Sequence, residues 1–263
     1  IVPFPPGGTT DVTARQIAAA LTKSLGQTFI VENKPGANGN IGSAQVARAA
    51  PDGYTLLMSG VGSNAVNHGL YENMPYDSKK DFAHVTLATT GPNVLIVNPS
   101  FPARNLTELV DLVKKEPGKY NYGSAGNGAS GHMAMELLKS LTGMKIDHVP
   151  YKGGAPALQD VMAGVIPMMF TNQDLAFAQA KAGKVRIIGV ADLQRNPAMP
   201  DAPTIAEQGY PGFAAVSWNA ISAPAGTPKA IVDKLQQHIR DALHAPDMKD
   251  KLLANGFVPQ GIP

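Results

Sequence analysis

Three stretches of the sequence place glycines where a short strand gives way to a helix. The chain opens with Ile1–Phe4, the turn Pro5–Gly8 and a helical pattern from Asp11. Glycines follow strands again within Gly123–Gly131 and Val149–Gly154. A helix that starts directly after such a turn exposes backbone N–H groups, which bind anions. Together, the three stretches predict a site for a small anionic ligand.

Any one of these turns alone is more typical of an ordinary tight turn, and their repetition is what favours a ligand site. The stretch Gly123–Gly131 contains four glycines, which permit positive φ and a close approach of the backbone to a ligand. Ser124 and Ser130 add hydroxyl donors. We expect this stretch and Pro5–Gly8 to face each other across a cleft and to share one carboxylate.

The composition excludes several classes of partner. Hydrophobic residues make up 44% and charged residues 16% of the 263 residues, as in compact globular proteins. A formal net charge of +2 is too small to indicate a nucleic-acid or anionic-membrane partner. The sequence has no cysteine, which excludes disulfides, thiolate nucleophiles and cysteine-ligated metals. It also begins without Met inside an apparent strand, so we expect a processed or trimmed N-terminus, and a removed signal peptide would fit.

Two catalytic alternatives arise from the same glycine-rich stretch. Gly126-x-Gly128-x-x-Gly131 has the spacing of a dinucleotide-binding fingerprint, and Asp147 lies near the spacing of a ribose-binding acid. The preceding strand is polar, whereas a central dinucleotide-binding strand is apolar, so a nicotinamide-dependent oxidoreductase is the second hypothesis. A hydrolase using Ser130 with His132 ranks last, because the two residues are too close in sequence for a nucleophile–base pair. The six histidines show no metal-ligand spacing.

Strands that alternate with helices predict an α/β protein with parallel strands. The predicted strands are Ile1–Phe4, Thr28–Glu32, Thr55–Ser59, Phe82–Ala88, Asn93–Asn98, Asn121–Ser124, Lys145–Tyr151, Pro167–Thr171, Val185–Ala191 and Ser217–Ser222. The predicted helices are Asp11–Leu25, Asn40–Ala49, Ala65–Tyr71, Leu106–Lys115, Gly131–Leu141, Pro156–Ala163, Leu175–Ala182, Lys229–Leu243 and Pro246–Asn255.

Two irregular, proline- and glycine-containing stretches indicate crossings between domains. These are Asn98–Asn105 and Gly209–Ala215. We therefore expect lobe one over residues 1–98 plus 216–263, and lobe two over residues 99–215.

Several long motifs of the chain together identify a family. They are VPFPPGGTTDVTAR (2–15), VENKPGANGNIGSAQVARAAPDGYTLL (31–57), GSAGNGASGH (123–132), HVPYKGGAPALQDVMAG (148–164), KAGKVRIIGV (181–190) and SWNAISAPAGTP (217–228). In these motifs, and over nearly its whole length, the sequence resembles the Bug-type periplasmic solute receptors, the binding proteins of tripartite tricarboxylate transporters.

The resemblance implies a type II periplasmic-binding-protein fold, in which two α/β lobes close around a ligand. It implies a carboxylate held by the first strand–helix loop and by the Gly123–His132 loop. The first lobe would contribute Phe4, Pro6, Gly7, Gly8, Thr9, Thr10, Asp11, Ser59, Gly60 and Ser63. The second lobe would contribute Ser124, Ala125, Gly126, Asn127 and Ala129, with Tyr151, Lys152, Thr171, Asn172 and Asp174 at the far end of the ligand.

The same resemblance implies a monomeric periplasmic receptor rather than an enzyme, with no cofactor or metal. Its partners would be a small carboxylate and the membrane components of a tripartite tricarboxylate transporter, or a sensor protein. Many family members carry an acidic residue after the Phe170 strand, where this chain has Thr171, and Asn64 also departs from the usual pattern. Because an acid there could pair with a ligand ammonium, we expect a dicarboxylate or an aromatic acid rather than an amino acid.

Overall fold

The computed structural model describes all 263 residues and divides into two compact units. The first comprises Ile1–Thr90, Trp218–Leu253 and Val258–Pro263, and the second comprises Gly91–Ser217 and Ala254–Phe257. The predicted division gave residues 91–98 to the first lobe, whereas their contacts group them with the second unit. The reason is that these residues pair with strands of the second unit, as described below.

The secondary structure alternates between helices and strands along most of the chain. The helices are α1 (Thr9–Leu25), α2 (Asn40–Ala47), α3 (Asn67–Leu70), α4 (Leu106–Lys115), α5 (Ser130–Thr142), α6 (Gly154–Ala163), α7 (Gln173–Lys181), α8 (Lys229–His244) and α9 (Pro246–Ala254). The strands are β1 (Leu57–Gly60), β2 (Phe82–Val97), β3 (Asn121–Ser124), β4 (Asp147–Pro150), β5 (Met168–Asn172), β6 (Arg186–Ala191), β7 (Val216–Pro224) and β8 (Val258–Ile262). No helix is long and apolar enough to cross a lipid bilayer.

In the first unit, the opening residues lie between two other segments of the chain. The N–H of Val2 donates to Glu32 O at 2.8 Å, and the N–H of Met58 donates to Ile1 O at 2.9 Å. The bridge between Val2 and Asn33 is parallel. The segments that follow Val2, Asn33 and β1 therefore leave the sheet at the same edge. Beyond them, β1 pairs with β7 in antiparallel register, and the first half of β2 pairs with β8.

The second unit is built on a five-stranded sheet in the order β6-β2-β5-β3-β4. The second half of β2 is antiparallel to β5 and β6, whereas β3 is parallel to both β4 and β5. The carboxyl ends of β3, β4 and β5 consequently lie at one edge of the sheet. The site residues predicted for this unit lie at the carboxyl ends of these strands, in the loops that follow β3 and β4, and in the first turn of α7.

Strand alternation places the two cores of the second unit on opposite faces of its sheet. Leu95 and Phe170 pack with α4 and α5, whereas Ile96 and Met169 pack with α6 and α7. All four of these side chains are fully or almost fully buried. The sheet is thus covered by helices on both faces, and only its edges are open to loops.

The structure departs from the predicted elements at four places. Ile1–Phe4 is not a strand, and only Val2 forms an isolated bridge, to Asn33. Residues 28–32 form no strand, since Phe29 N–H donates to the Thr22 hydroxyl of α1 and Ile30 is 81% exposed. The two strands predicted on either side of Gly91 and Pro92 form one continuous strand, β2. The residues before Gly91 pair with β8 of the first unit, and the residues after Pro92 pair with β5 of the second unit. The last strand, β8, was missed because Pro259 and Gly261 disfavour strand structure.

Candidate functional site

The turn before α1 is held in place by Asp11. Gly7 adopts a left-handed φ of 80°, and its N–H donates to Asp11 Oδ2 at 2.9 Å. Asn33 Nδ2 donates to Asp11 Oδ1 at 2.9 Å and also to Phe4 O at 3.0 Å. Arg15 forms an ion pair with the same carboxylate at 3.0 Å. Asp11 therefore shapes the turn from behind, and its carboxylate is already occupied by protein donors.

The charge of Asp11 is stabilised by these contacts. Burial alone raises the pKa of a carboxyl group, and Asp11 is only 3% exposed. The hydrogen bonds from Arg15, Gly7 and Asn33 outweigh burial and hold the pKa of Asp11 below its usual value. Asp11 is thus a carboxylate at neutral pH, with its charge directed to the protein.

The other residues predicted for the first unit fall into two groups. Pro6 and Gly7 are exposed, and Gly8 and Thr10 are half-buried at the start of α1, where Thr9 is buried. Ser59 and Ser63 are fully buried, and their hydroxyls donate to Ala220 O and Asn64 Oδ1 respectively. Phe4 and Ser63 meet at Gly39, and Gly60 is buried at the end of β1. The structure thus gathers Phe4, Ser63 and the α1 turn at one sheet edge.

A strained turn that the sequence analysis did not single out lies beside Phe4 and Ser63. Gly36, Ala37, Asn38 and Gly39 all have positive φ, although two of them are not glycine. The Asn38 side chain contacts Gly62 and donates to Asn67 Oδ1 at 2.8 Å. Non-glycine residues in this conformation are held by their surroundings and cluster at functional sites. The sequence signal was the Gly-Ala-Asn-Gly-Asn stretch at residues 36–40.

In the second unit, several amides of the glycine turn are occupied by the protein. Gly126 N–H donates to Ser124 Oγ at 3.1 Å, and Gly128 N–H donates to His132 Nδ1 at 3.0 Å. Ala129 N–H donates to Gly126 O at 3.1 Å. These bonds fix the shape of the turn, so three of its amides are unavailable to a ligand. The amides of Ala125 and Asn127, both exposed residues, are not among them.

The helices α1, α4 and α5 start with one common contact, but only α4 has a side-chain cap. In all three helices, the side chain of the third helical residue accepts a hydrogen bond from the N–H of the residue before the N-cap. Asp11 accepts from Gly7, Glu108 from Arg104, and His132 from Gly128. In α4 the N-cap Asn105 also accepts the Glu108 N–H. Gly8 and Ala129, the N-caps of α1 and α5, supply no side-chain acceptor.

The first turns of α1 and α5 therefore present amide donors without a capping side chain. A helix N-terminus also carries a partial positive charge, which favours an anion. At α5 this end lies directly against β5, since a Cβ on Gly131 would overlap the carbonyl oxygen of Phe170. Ser130 Oγ donates to Asn93 Oδ1 at 3.0 Å and so fixes the same turn to β2.

The residues predicted at the far end of the ligand lie on the next two loops of the same sheet edge. Tyr151 and Gly153 donate their N–H groups to Ser124 O and Ala125 O, which joins the loops after β3 and β4. The Tyr151 hydroxyl donates to Asp160 at 2.6 Å, and burial together with Asp160 raises the pKa of Tyr151 to about 12. Lys152 is exposed and forms no ion pair.

Thr171, Asn172 and Asp174 occupy the end of β5 and the start of α7. Thr171 is buried and faces Gly154, Asn172 is the N-cap of α7, and Asp174 lies in its first turn. The structure thus brings all ten predicted residues of the second unit to one edge of its sheet.

A stack of three rings behind the glycine turn was not predicted as functional. The rings of His132 and His148 lie 4.0 Å apart between centroids, and His148 lies 4.9 Å from Tyr122. His148 Nε2 is 2.6 Å from Ser124 Oγ. Each histidine has an ordinary position on a helix or strand in the sequence, and nothing local indicates that the two rings meet.

We expect His148 to make the stability of the protein sensitive to acid. Burial and the neighbouring His132 lower the pKa of His148 to about 4, from an ordinary value near 6.5. Between these pH values the unfolded chain binds a proton that the folded chain does not, so stability falls as the pH falls from 6.5 to 4. Urea unfolding of the wild type and of His148→Gln should show that the free energy of unfolding falls less in the variant as the pH is lowered from 6.5 to 4. His244→Gln, at an exposed position on α8, should behave like the wild type.

The geometry opposes the dinucleotide interpretation of the glycine motif. β3 and β4 are paired in parallel, with Asn121 beside Asp147 and Ser124 beside Pro150. Asp147 therefore lies at the amino end of its strand, whereas a ribose-binding acid lies at the carboxyl end. No group of three or more His, Cys, Asp or Glu side chains is arranged to hold a metal ion.

Residues 13–261 match the family described as TctC, the tripartite tricarboxylate transporter family receptor. Three of the solved structures that are similar to this chain have 36–37% sequence identity to it. The periplasmic binding protein BugD is 37% identical with a TM-score of 0.93, covering 99% of this chain and 87% of BugD. A Rhodopseudomonas palustris protein with adipate is 37% identical with a TM-score of 0.95, covering 98% of this chain and 87% of that one.

The third is MatC from Rhodopseudomonas palustris with bound malate, 36% identical with a TM-score of 0.93, covering 98% of this chain and 88% of MatC. These similarities confirm the predicted fold class, the α/β fold of periplasmic binding proteins. They extend over almost the whole of both units. The chain therefore belongs to the Bug-type receptors of the tripartite tricarboxylate transporter family.

Proposed function

We propose that this chain is a periplasmic receptor that captures a small carboxylate for a tripartite tricarboxylate transporter. The observation that carries this proposal is the pair of helices, α1 and α5, that follow fixed turns and start without a side-chain cap. α4, which has no predicted ligand, is capped by Asn105. α6, α7 and α8 also start without a side-chain cap. At α1 and α5 the open end follows a glycine turn that Asp11 or His132 holds in place.

Backbone donors are sufficient to bind a carboxylate without a cation. A hydrogen bond to a charged acceptor contributes about 1.5–3 kcal/mol, and a helix N-terminus adds about 0.3–1 kcal/mol or more when shielded from water. In the second unit, Ala125 and Asn127 in the turn and Ser130 and Gly131 in the helix are the candidate donors. Gly8 and Thr10 are their counterparts in the first unit.

We propose a ligand with a second acidic group or an aromatic ring and without an amino group. Adipate and malate, bound by two relatives, are both dicarboxylates. Lys152 is exposed, lies between two residues that donate to the glycine turn, and would meet the second carboxylate. At the position of Thr171, an acidic residue could pair with the ammonium group of a ligand, whereas Thr171 offers only a hydroxyl.

Matched pairs of organic acids test both parts of the proposal. We expect adipate, malate or succinate to raise the melting temperature and to bind at micromolar or lower concentration in calorimetry. Aspartate and 2-aminoadipate, which add an amino group to the skeletons of succinate and adipate, should bind at least tenfold more weakly. Failure of every carboxylate to raise the melting temperature would refute the receptor, and preference for the amino acids would refute the ligand class.

Calorimetry with NAD in place of the organic acids distinguishes the receptor from the oxidoreductase alternative. Saturable binding of NAD at micromolar concentration would favour that enzyme, whereas the receptor predicts none.

We further propose that the receptor is a monomer that delivers its ligand to the membrane components of the transporter or to a sensor protein. Sedimentation of the purified chain with and without adipate measures its mass in solution and tests whether it is a monomer.

A further inference from the structure

Two histidines of the second unit hold the glycine turn from both sides. His148, on β4, contacts the Ser124 hydroxyl at the start of the turn. His132, in the first turn of α5, accepts the N–H of Gly128 at the end of the turn. The two rings stack with planes only 11° apart. One ring pair therefore brackets Gly126 and Asn127.

The bond from Gly128 defines the protonation state of His132. Nδ1 must carry a lone pair to accept the N–H, so the ring proton of the neutral imidazole is on Nε2. Nε2 faces Glu136 Oε1 at 4.0 Å. A second proton on Nδ1 would set two N–H groups against each other and break the bond to Gly128.

The groups around the stack do not compensate two positive charges. Glu136, on α5, is 2.7 Å from Lys139 Nζ and accepts the Tyr122 hydroxyl at 2.7 Å. Its charge is therefore already shared with a lysine on its own helix and a tyrosine on β3. Protonated rings with centroids 4.0 Å apart would also repel each other.

We propose that His132 and His148 are positioning residues, which hold the ligand turn in its binding geometry only while both rings are neutral. This inference rests on the proposed function, because it assigns the ligand to that turn. Acidification then protonates the stack, releases Gly128 and weakens carboxylate binding. Burial lowers the pKa of both histidines, so the turn keeps its geometry at neutral pH.

Two substitutions of His132 separate the hydrogen bond from the ring. His132→Asn retains an acceptor near the position of Nδ1 but does not titrate, whereas His132→Phe retains a stacking ring without an acceptor. In calorimetry with adipate and malate at pH 7.5, the dissociation constant of the Asn variant should lie within about threefold of that of the wild type. The dissociation constant of the Phe variant should be about tenfold higher. His244→Phe, at an exposed position on α8, should match the wild type.

The same titrations at pH 4.5 test the neutral state. The wild type should lose more affinity than His132→Asn, and comparison at one pH cancels protonation of the ligand itself. The inference is overturned if His132→Phe binds as the wild type does at pH 7.5, or if the wild type and His132→Asn weaken in parallel. If His132→Phe does not fold, the pH comparison with the Asn variant remains decisive.

A measurement without ligand distinguishes this inference from the proposed function. Hydrogen exchange of the Gly128 amide should be slow in the wild type and in His132→Asn, and at least tenfold faster in His132→Phe. An unchanged exchange rate in His132→Phe would overturn the positioning role. If instead the wild type binds no carboxylate while exchange responds as expected, the proposed function fails and the role of His132 in shaping the turn stands.

Discussion

Replacing Gly7 by valine is expected to abolish carboxylate binding while the protein still folds. Gly7 has a φ of 80°, which a β-branched residue does not adopt without strain, although a Cβ there would meet no atom within 4 Å. The turn would therefore move instead of colliding, and the Gly7–Asp11 bond would be lost. We expect at least 100-fold weaker binding of adipate or malate in calorimetry, because the donors of the first turn of α1 would lose their alignment.

Gly26→Val is the matched control for this substitution. Gly26 ends the same helix with a φ of 67° and also has no atom within 4 Å of a Cβ. Both variants carry comparable backbone strain, of about 1–3 kcal/mol. Only Gly7→Val should lose binding, and normal binding by it would refute the proposed carboxylate site at the start of α1.

Replacing Asp11 by alanine is expected to lower the free energy of unfolding by about 2–3 kcal/mol at pH 7 and to weaken binding. The substitution leaves the Gly7 N–H without its acceptor and leaves the Asn33 amide with only Phe4 O. Arg15→Ala should cost less than about 1 kcal/mol, because the Arg15 side chain is 51% exposed. Urea unfolding measures both, and equal costs would contradict the role of Asp11 in holding the turn.

The pH dependence gives a second test of Asp11. A carboxylate whose folded pKa is lowered stabilises the protein above its ordinary pKa of about 3.9, and this contribution is lost as the pH falls through the folded value. The difference in stability between the wild type and Asp11→Ala should therefore be constant from pH 7 to about 5 and shrink in stronger acid. A difference that grows on acidification would contradict this assignment.

Elements with local signals were predicted closely from the sequence. α4 runs over Leu106–Lys115, as predicted, because Asn105 and Glu108 form reciprocal capping bonds and apolar residues recur on one face. The glycine turns were also predicted, since their residue types and spacing are local features. The strand missed at 258–262 contains a proline and a glycine, and only pairing with β2 stabilises it.

The contacts that shape the site could not be predicted, because they join distant residues or depend on side-chain direction. Asn33 reaches Asp11 from 22 positions along the chain, and His148 meets Ser124 from 24 positions away. Glycines predicted as sources of free amides, Gly7 and Gly126, instead donate to neighbouring side chains. The sequence indicated which turns carry donors, and the structure determined which amides remain.

The uncapped ends of α1 and α5 have a consequence for how such a receptor can diversify. In the proposed site, side-chain exchanges outside the residues that shape the two turns leave the main-chain donors in place, since every residue except proline supplies the same N–H. If the proposed site is correct, mutations at positions such as Thr171 and Lys152 alter which acid fits while the main-chain donors to the carboxylate are retained. Duplicated genes can in this way acquire new ligands through few substitutions, without passing through a form that binds nothing.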